Sequence, residues 1–197
     1  MRLSRPRVAP LDPSDFSAET TELMARFGGE KSPGGGRILN IFRTLAHHPA
    51  LLKRWTVFGN HVLFKSTLPA RDREILILRI GWLCRAEYEW GQHVVIGKRE
   101  GLVDEDIEHI RVGPTADGLD PFEAELLRAA DELHGDAMIS DPTWQALSQR
   151  YSTEQMLDLV FTVGQYNLVS MALNTLGVQL DDGIPGFGGD HASEEGS

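Results

Sequence analysis

Residues 68–102 read LPARDREILILRIGWLCRAEYEWGQHVVIGKREGL, and this stretch decides the fold. Pro69 marks a helix start, because a first turn has no use for the N–H that proline lacks. From about Ala70 to Arg85 the chain is apolar on nearly every side, through Ile75, Leu76, Ile77, Leu78, Ile80, Trp82 and Leu83. A helix that is greasy all round is a central, buried one, and a run this long favours helix over strand. Glu87 to Glu100 follows as the next helix, with Gly101 as its C-terminal cap.

Upstream of this pair, helices are expected from Ser17 to Phe27 and from Arg37 to His47, with a stop near Pro49. Another then carries Leu51, Leu52, Trp55, Phe58, Val62, Leu63 and Phe64 at helical spacing. Downstream, a short acidic helix spans Asp104 to Ile110, Pro121 opens one reaching about Ala137, and Asp141-Pro142 starts one ending near Tyr151. Ser152-Thr153-Glu154 caps a last long helix running to about Leu176. With no internal repeat and no β-hairpin, the prediction is an all-α, single-domain bundle of about eight helices. Residues 1–36 read as an N-terminal extension with a short helix and a Gly-rich loop, 37–180 as the helical domain, and 181–197 as a flexible tail of low hydrophobic content. The glycine loop has no GK[ST] after it and no strand before it, so it is a linker rather than a phosphate cradle.

A length of 197 residues fits one domain with a sizeable core. The formal charge is −10, from 19 basic and 29 acidic residues. That argues against a nucleic-acid partner, which wants a basic stripe, and against an anionic membrane surface. A small anion in a locally basic pocket stays compatible. Cys84 is the only cysteine, so no intramolecular disulfide, no CxxC pair and no cysteine-rich metal site can form. No signal-peptide core opens the chain, and no apolar run approaches the roughly 20 residues of a membrane span. A cytoplasmic protein is expected.

The chemistry-bearing residues sit in the opening stretch. Glu89 and His93 are four residues apart, so one helix face carries a carboxylate beside an imidazole. Such a carboxylate raises the imidazole's pKa and fixes its orientation, and the pair can take and return a proton near neutral pH. An exposed helical Glu/His pair is the plainer alternative. Glu74 sits in the first turn of the buried helix, with Gly81 seven residues on at nearly the same angle. It either faces a cavity or only complements the helix dipole. Two acids and a histidine could hold a divalent ion, but helical di-iron sites use Glu-x-x-His on paired helices. Here the spacing is i, i+4 with no second copy, so neither a metal nor a cofactor is expected. Cys84, a lone thiol in apolar surroundings, reads as inert. His47, His48, His61, His109, His134 and His191 are scattered and read as surface or capping residues.

Leu68 to Arg79, then Glu87-Tyr88-Glu89-Trp90-Gly91-Gln92-His93-Val94, then Gly97, Gly101 and Leu102, resemble the carboxymuconolactone decarboxylase family, which also contains the AhpD-type alkylhydroperoxidases. Tyr166-Asn167-Leu168 and Asn174 to Val178 resemble its closing helix, and the likeness covers roughly Leu45 to Leu180. The peroxidase branch of that family has a glutamate and then CxxCxxxH. Glu74 and His93 match the glutamate and histidine, while the two cysteine positions fall on Ala86 and Glu89. Without a thiol pair there is no peroxide reduction. The resemblance is therefore to the cysteine-free branch, which includes the decarboxylase proper.

That resemblance implies an AhpD-like fold, a homotrimer or homohexamer, and a cofactor-free lyase or related isomerase acting on a small lactone or oxo-carboxylate. In a γ-carboxylated butenolide, loss of CO₂ pushes electrons onto the lactone oxygen, and the dienolate is then protonated on carbon. The protein must hold the carboxylate in an apolar pocket, stabilise the oxyanion and deliver a proton. His93, oriented by Glu89, would be acid and oxyanion donor, with Glu74 a second proton carrier or an orienter. Tyr88, Trp90 and Trp82 would wall the pocket. Arg71, Arg73 or Arg79 would pair the substrate carboxylate or simply Glu74. The alternative is a protein that kept the fold, has no thiol redox activity and acts as a binding or scaffold module.

Overall fold

In the computed structural model, which describes residues 2–25 and 36–188, the chain is all helical apart from turns and extended ends. Nine α-helices are present among the described residues: α1 (Ala18–Met24), α2 (Asn40–Leu45), α3 (Pro49–Phe64), α4 (Ala70–Leu83), α5 (Glu87–Arg99), α6 (Asp104–Val112), α7 (Pro121–Asp136), α8 (Asp141–Ser148) and α9 (Thr153–Leu176). The all-α expectation holds, with one helix more than the eight expected. The glycine stretch 28–35, Phe27 and the end of the chain from 189, including His191, lie outside the described residues.

α4 is the axis. It packs against α5, α7 and α9, and Ile75 to Ile80 are almost fully buried whichever way they point. Asp72, Arg73, Glu74 and Arg79 are buried as well, Arg71 is partly exposed, and each is matched. Arg79 forks onto Asp131 of α7 at 2.6 and 2.8 Å, and its other nitrogen donates to the Ile110 and Arg111 carbonyls at the end of α6. Asp72 accepts from the Tyr151 hydroxyl at 2.6 Å. Arg71 bonds Glu123 and, at 2.8 Å, Asp106. One helix thus ties α6, α7 and the α8–α9 junction to the core.

The turn between α4 and α5 places the chemistry. Arg85 adopts φ 51°, in the left-handed region that non-glycine residues visit rarely. It lets the Ala86 N–H reach back to the Gly81 carbonyl at 2.9 Å and folds α5 directly onto α4. At Gly81 a Cβ would come within 3.6 Å of Trp90 N and 3.8 Å of Glu89 Cβ, so the start of α5 packs directly over this glycine. Glu89 and His93 then run up α5 alongside Glu74.

Residues 181–188, expected to belong to a loose tail, instead form a strap across α5. Asp181 is its anchor. Its carboxylate accepts from the Tyr88 hydroxyl at 2.5 Å, Gln92 Nε2 at 2.8 Å and the Asn40 backbone N–H at 2.9 Å, which also fixes the start of α2. Phe187 packs its ring against Trp82 and Trp90, with centroids at 5.1 and 6.0 Å. A composition of glycine, proline and acids concealed two well-placed anchors, one charged and one aromatic. α9 also departs from expectation. It is long and apolar enough to cross a membrane by length and composition, yet half of its apolar window is buried in the bundle, as in a core helix.

The strap depends on Gly91. A Cβ there would overlap the Pro185 carbonyl oxygen and come within 2.7 Å of Ile184 Cγ2. Gly91→Ala is therefore expected to lift the strap and destabilise the protein by about 1–3 kcal/mol, the usual cost of overpacking. Urea denaturation should show the lower midpoint, and limited proteolysis should show faster cutting C-terminal to Val178.

Candidate active site

Glu74, Glu89 and His93 meet as one buried cluster. His93 Nδ1 lies 2.6 Å from Glu74 Oε2, and His93 Nε2 lies 3.0 Å from Glu89 Oε1. The second contact is the i, i+4 pair along α5, and the first crosses from α5 to α4. Arg73 reaches the other Glu74 oxygen at 3.3 Å. Glu74 is fully buried, and the other three side chains are nearly so. Two cations thus face two carboxylates, and the cluster as a whole is close to neutral.

Both imidazole nitrogens address carboxylate oxygens, which only accept, so the ring is read as donating from both. Burial pulls the His93 pKa down. The charge and hydrogen bond of Glu74, with those of Glu89, outweigh it and raise the value to about 10. At neutral pH His93 is an imidazolium. Tyr166 of α9 stacks its ring edge-on at 4.9 Å. Burial, with the Glu89 and Glu74 charges, pushes its pKa well above the ordinary phenol range, so its hydroxyl stays protonated.

Beside the cluster lies a cavity of about 120 Å³. Glu89 and His93 line it, whereas Glu74 and Arg73 sit behind them. Most of the wall is apolar, built from Leu39, Ile41 and Phe42 on the α2 side, Trp55 and Leu63 of α3, Ile96 of α5 and Val169 of α9. Polar atoms come from Gln92, Asn60, Gln165 and Tyr166. Asn60 and the largely exposed Phe64 mark its outer side.

The three residues expected to be catalytic are therefore brought together, and Tyr88 does line the cavity, although its hydroxyl is committed to Asp181. Four residues expected to bind substrate are placed elsewhere. Arg71 points away to Glu123 and Asp106. Arg73 is spent on Glu74 and does not line the cavity. Trp82 and Trp90 pack on each other at 5.1 Å, under Phe187 and the Arg111 guanidinium. The reason is angular: Trp90 is one residue, about 100° of helix, round from Glu89 and faces the strap instead. The wall residues Trp55, Asn60, Gln165 and Tyr166 were not expected at the site. Gln165 carried little signal, being one of two amides, with Asn167, in the stretch Val163 to Val169.

Cys84 lies outside the cavity. Its Sγ is 3.0 Å from Asn167 Oδ1 and 3.8 Å from His134 Nδ1, and burial raises the thiol pKa. Ala86 and Glu89 occupy the positions matched to the thiol pair. Ala86 is fully buried at the start of α5, and Glu89 is the carboxylate on His93.

The sequence profile of the carboxymuconolactone decarboxylase family matches residues 49–132, so the resemblance read from residues 68–102 holds. No curated protein matches the chain. The fold recurs in solved structures at low identity. An uncharacterized peroxidase-related protein of Ralstonia eutropha, with an alkylhydroperoxidase AhpD core, aligns at 17% identity over 91% of this chain and 95% of that one, with a TM-score of 0.71. A second peroxidase-related protein, from a Silicibacter species, aligns at 16% identity over 92% of both chains, with a TM-score of 0.74. The debrominase Bmp8, in complex with tribromopyrrole, aligns at 14% identity over 91% of this chain and 94% of that one, with a TM-score of 0.70. These likenesses establish an AhpD-like fold.

A histidine whose folded pKa is raised stabilises the fold fully below its unfolded value and ceases to do so above its folded one. The His93 contribution should therefore be intact below about 6.5 and lost as pH climbs to about 10. The stability advantage of the wild type over His93→Gln, from urea denaturation, is expected to shrink across that window. An advantage that grows with pH would contradict the imidazolium assignment.

Proposed function

We propose, for a chain whose residues 49–132 are of the carboxymuconolactone decarboxylase family, that the cluster performs proton transfer without a cofactor, as an isomerase or lyase acting on a small carbonyl compound. The observation that carries this reading is His93, held between Glu74 and Glu89 at the wall of an apolar cavity. Glu89 is the carboxylate that a ligand would meet. It takes a proton from the carbon next to, or conjugated with, the carbonyl, and the electron pair moves onto the carbonyl oxygen. Glu89 returns that proton to the other end of the dienolate, while His93 supplies the compensating positive charge, and Glu74 with Arg73 hold it in place. The Tyr166 hydroxyl, protonated and in the cavity lining, is a neutral donor for the developing oxyanion.

The lining gives more support to one of the two reactions expected of the family. Decarboxylation needs a bound carboxylate, and the arginines expected to pair it are engaged elsewhere, while Glu89 faces the cavity. Isomerisation of a lactone or enone brings no second anion beside Glu89 and fits the site better. Thiol peroxidase chemistry has no support, since the one thiol is held protonated and away from the cavity. A single small ring is close to the cavity in size, and the debrominase of this fold has a substituted single ring bound. Self-association as a homotrimer or homohexamer is part of the same proposal. It is supported by an exposed apolar stripe of Leu157, Phe161, Leu168 and Met171 on α9 beside Val57 and Phe58 on α3.

Two probes separate these reactions: a β,γ-unsaturated butenolide, converted to its conjugated isomer, and a γ-carboxylated butenolide, which would lose CO₂. In deuterium oxide the first should be turned over with deuterium entering at carbon. His93→Gln should lower kcat by roughly 10²–10⁴-fold, the usual worth of a positioned acid–base group, and Cys84→Ser should change nothing. Turnover unaffected by His93→Gln would place the chemistry elsewhere, and no exchange with either probe would favour the binding-protein alternative.

A further inference from the structure

We infer that the cavity takes an uncharged, single-ring molecule with a hydrogen-bonding group on its edge, and that Gln165 is the residue that reads this group. The inference deepens the proton-transfer reading, because it names the substrate class of the same site.

Gln165 projects from α9 into the cavity wall and is 94% buried, with 6% of its surface exposed. Among the described residues its amide has no hydrogen-bond partner. Its amide atoms are not sealed in the core but reach the surface of the cavity, where they are open to whatever enters. It offers both an N–H donor and a C=O acceptor. Gly59 on α3 leaves space in front of it, since a Cβ there would lie 3.7 Å from Gln165 Nε2. The Tyr166 hydroxyl, one residue on, also lacks a partner among the described residues. Burial and the nearby carboxylates keep it protonated, so it adds a second donor.

The charges around the cavity set the ligand's own charge. Among the described residues no lysine or arginine lines it. His93 is already shared between two carboxylates, and Glu89 faces the space. A carboxylate entering would meet like charge in a low-dielectric setting with no free cation among the described residues to answer it. The cavity, about 120 Å³, is a little smaller than the roughly 150 Å³ cavity that accommodates a benzene ring. A five- or six-membered ring bearing a carbonyl, carboxamide or hydroxyl satisfies size, charge and hydrogen-bonding pattern together.

Furan carboxamide and furan carboxylate, equal in shape and differing in charge, test this directly by titration followed by protein NMR. The carboxamide should bind at least tenfold more tightly and shift the Gln165 side-chain amide signals. Gln165→Leu should weaken the carboxamide at least tenfold while the thermal midpoint holds or rises, because an unpaired amide has been removed. If that variant does not fold, the wild-type Gln165 amide shift decides alone. Carboxylate binding as tight as carboxamide, carboxamide binding that leaves the Gln165 signals unmoved, or no saturable binding of either probe overturns the inference. Turnover failing in His93→Gln while the carboxamide still binds separates the two proposals. Turnover unaffected in that variant refutes the proton-transfer reading and leaves this binding result standing.

Discussion

An imidazolium clamped between two buried carboxylates is the constraint on which this structure rests. Burying a charge is tolerated only where it is paired and hydrogen-bonded, and here four charged side chains on two adjacent helices satisfy one another. Glu74 and Arg73 come from α4, and Glu89 and His93 from α5, so the cluster exists only if the α4–α5 turn is tight. That turn needs Arg85 in a left-handed conformation and the backbone bond from Ala86 to Gly81. The matched charges of Arg79, Asp72 and Arg71 hold α4 in place from its other sides. The axis of the fold is therefore also the floor of the site.

The same clamp limits the chemistry. A histidine donating from both nitrogens to Glu74 and Glu89 has no lone pair to offer, so its part in the proposed reaction is that of a fixed positive charge. Glu89, which shares it, is the group at the cavity. Where a reactive sulfur would stand in the peroxidase pattern, this chain places a carboxylate, and its single thiol sits away from the cavity among α4, α7 and α9. The strap from Asp181 to Phe187 adds a second layer. It occupies Tyr88 and Gln92 and covers the tryptophan face of α5, leaving the opposite face to the cavity.

Legibility in the sequence followed the range of the interaction. The helices were readable because periodicity and caps are local, as was the Glu89–His93 pair, whose spacing lies within one helix. Glu74 was readable as an acid in a buried run, though its direction was not. The residues misplaced or missed depend on packing between distant elements. Arg71 and Arg73 look equally available in sequence, and only the positions of Glu123, Asp106 and Glu74 decide where they go. Trp82 and Trp90 lie near Glu89 and His93 in the chain but face the other way round the helix. Asn60 and Gln165 reach the site from α3 and α9, more than a hundred residues apart. Asp181 and Phe187 sit in a segment too polar as a whole to look ordered, because two anchors barely change its composition.

The central claim is that His93 is a doubly protonated imidazolium at neutral pH, and nitrogen NMR of the labelled imidazole ring tests it most directly. At pH 8, above the ordinary histidine range and below the value of about 10 set by Glu74 and Glu89, both His93 ring nitrogens should carry a proton and show imidazolium shifts. A His93 ring that loses a proton near 6.5, like an ordinary histidine, would contradict the account.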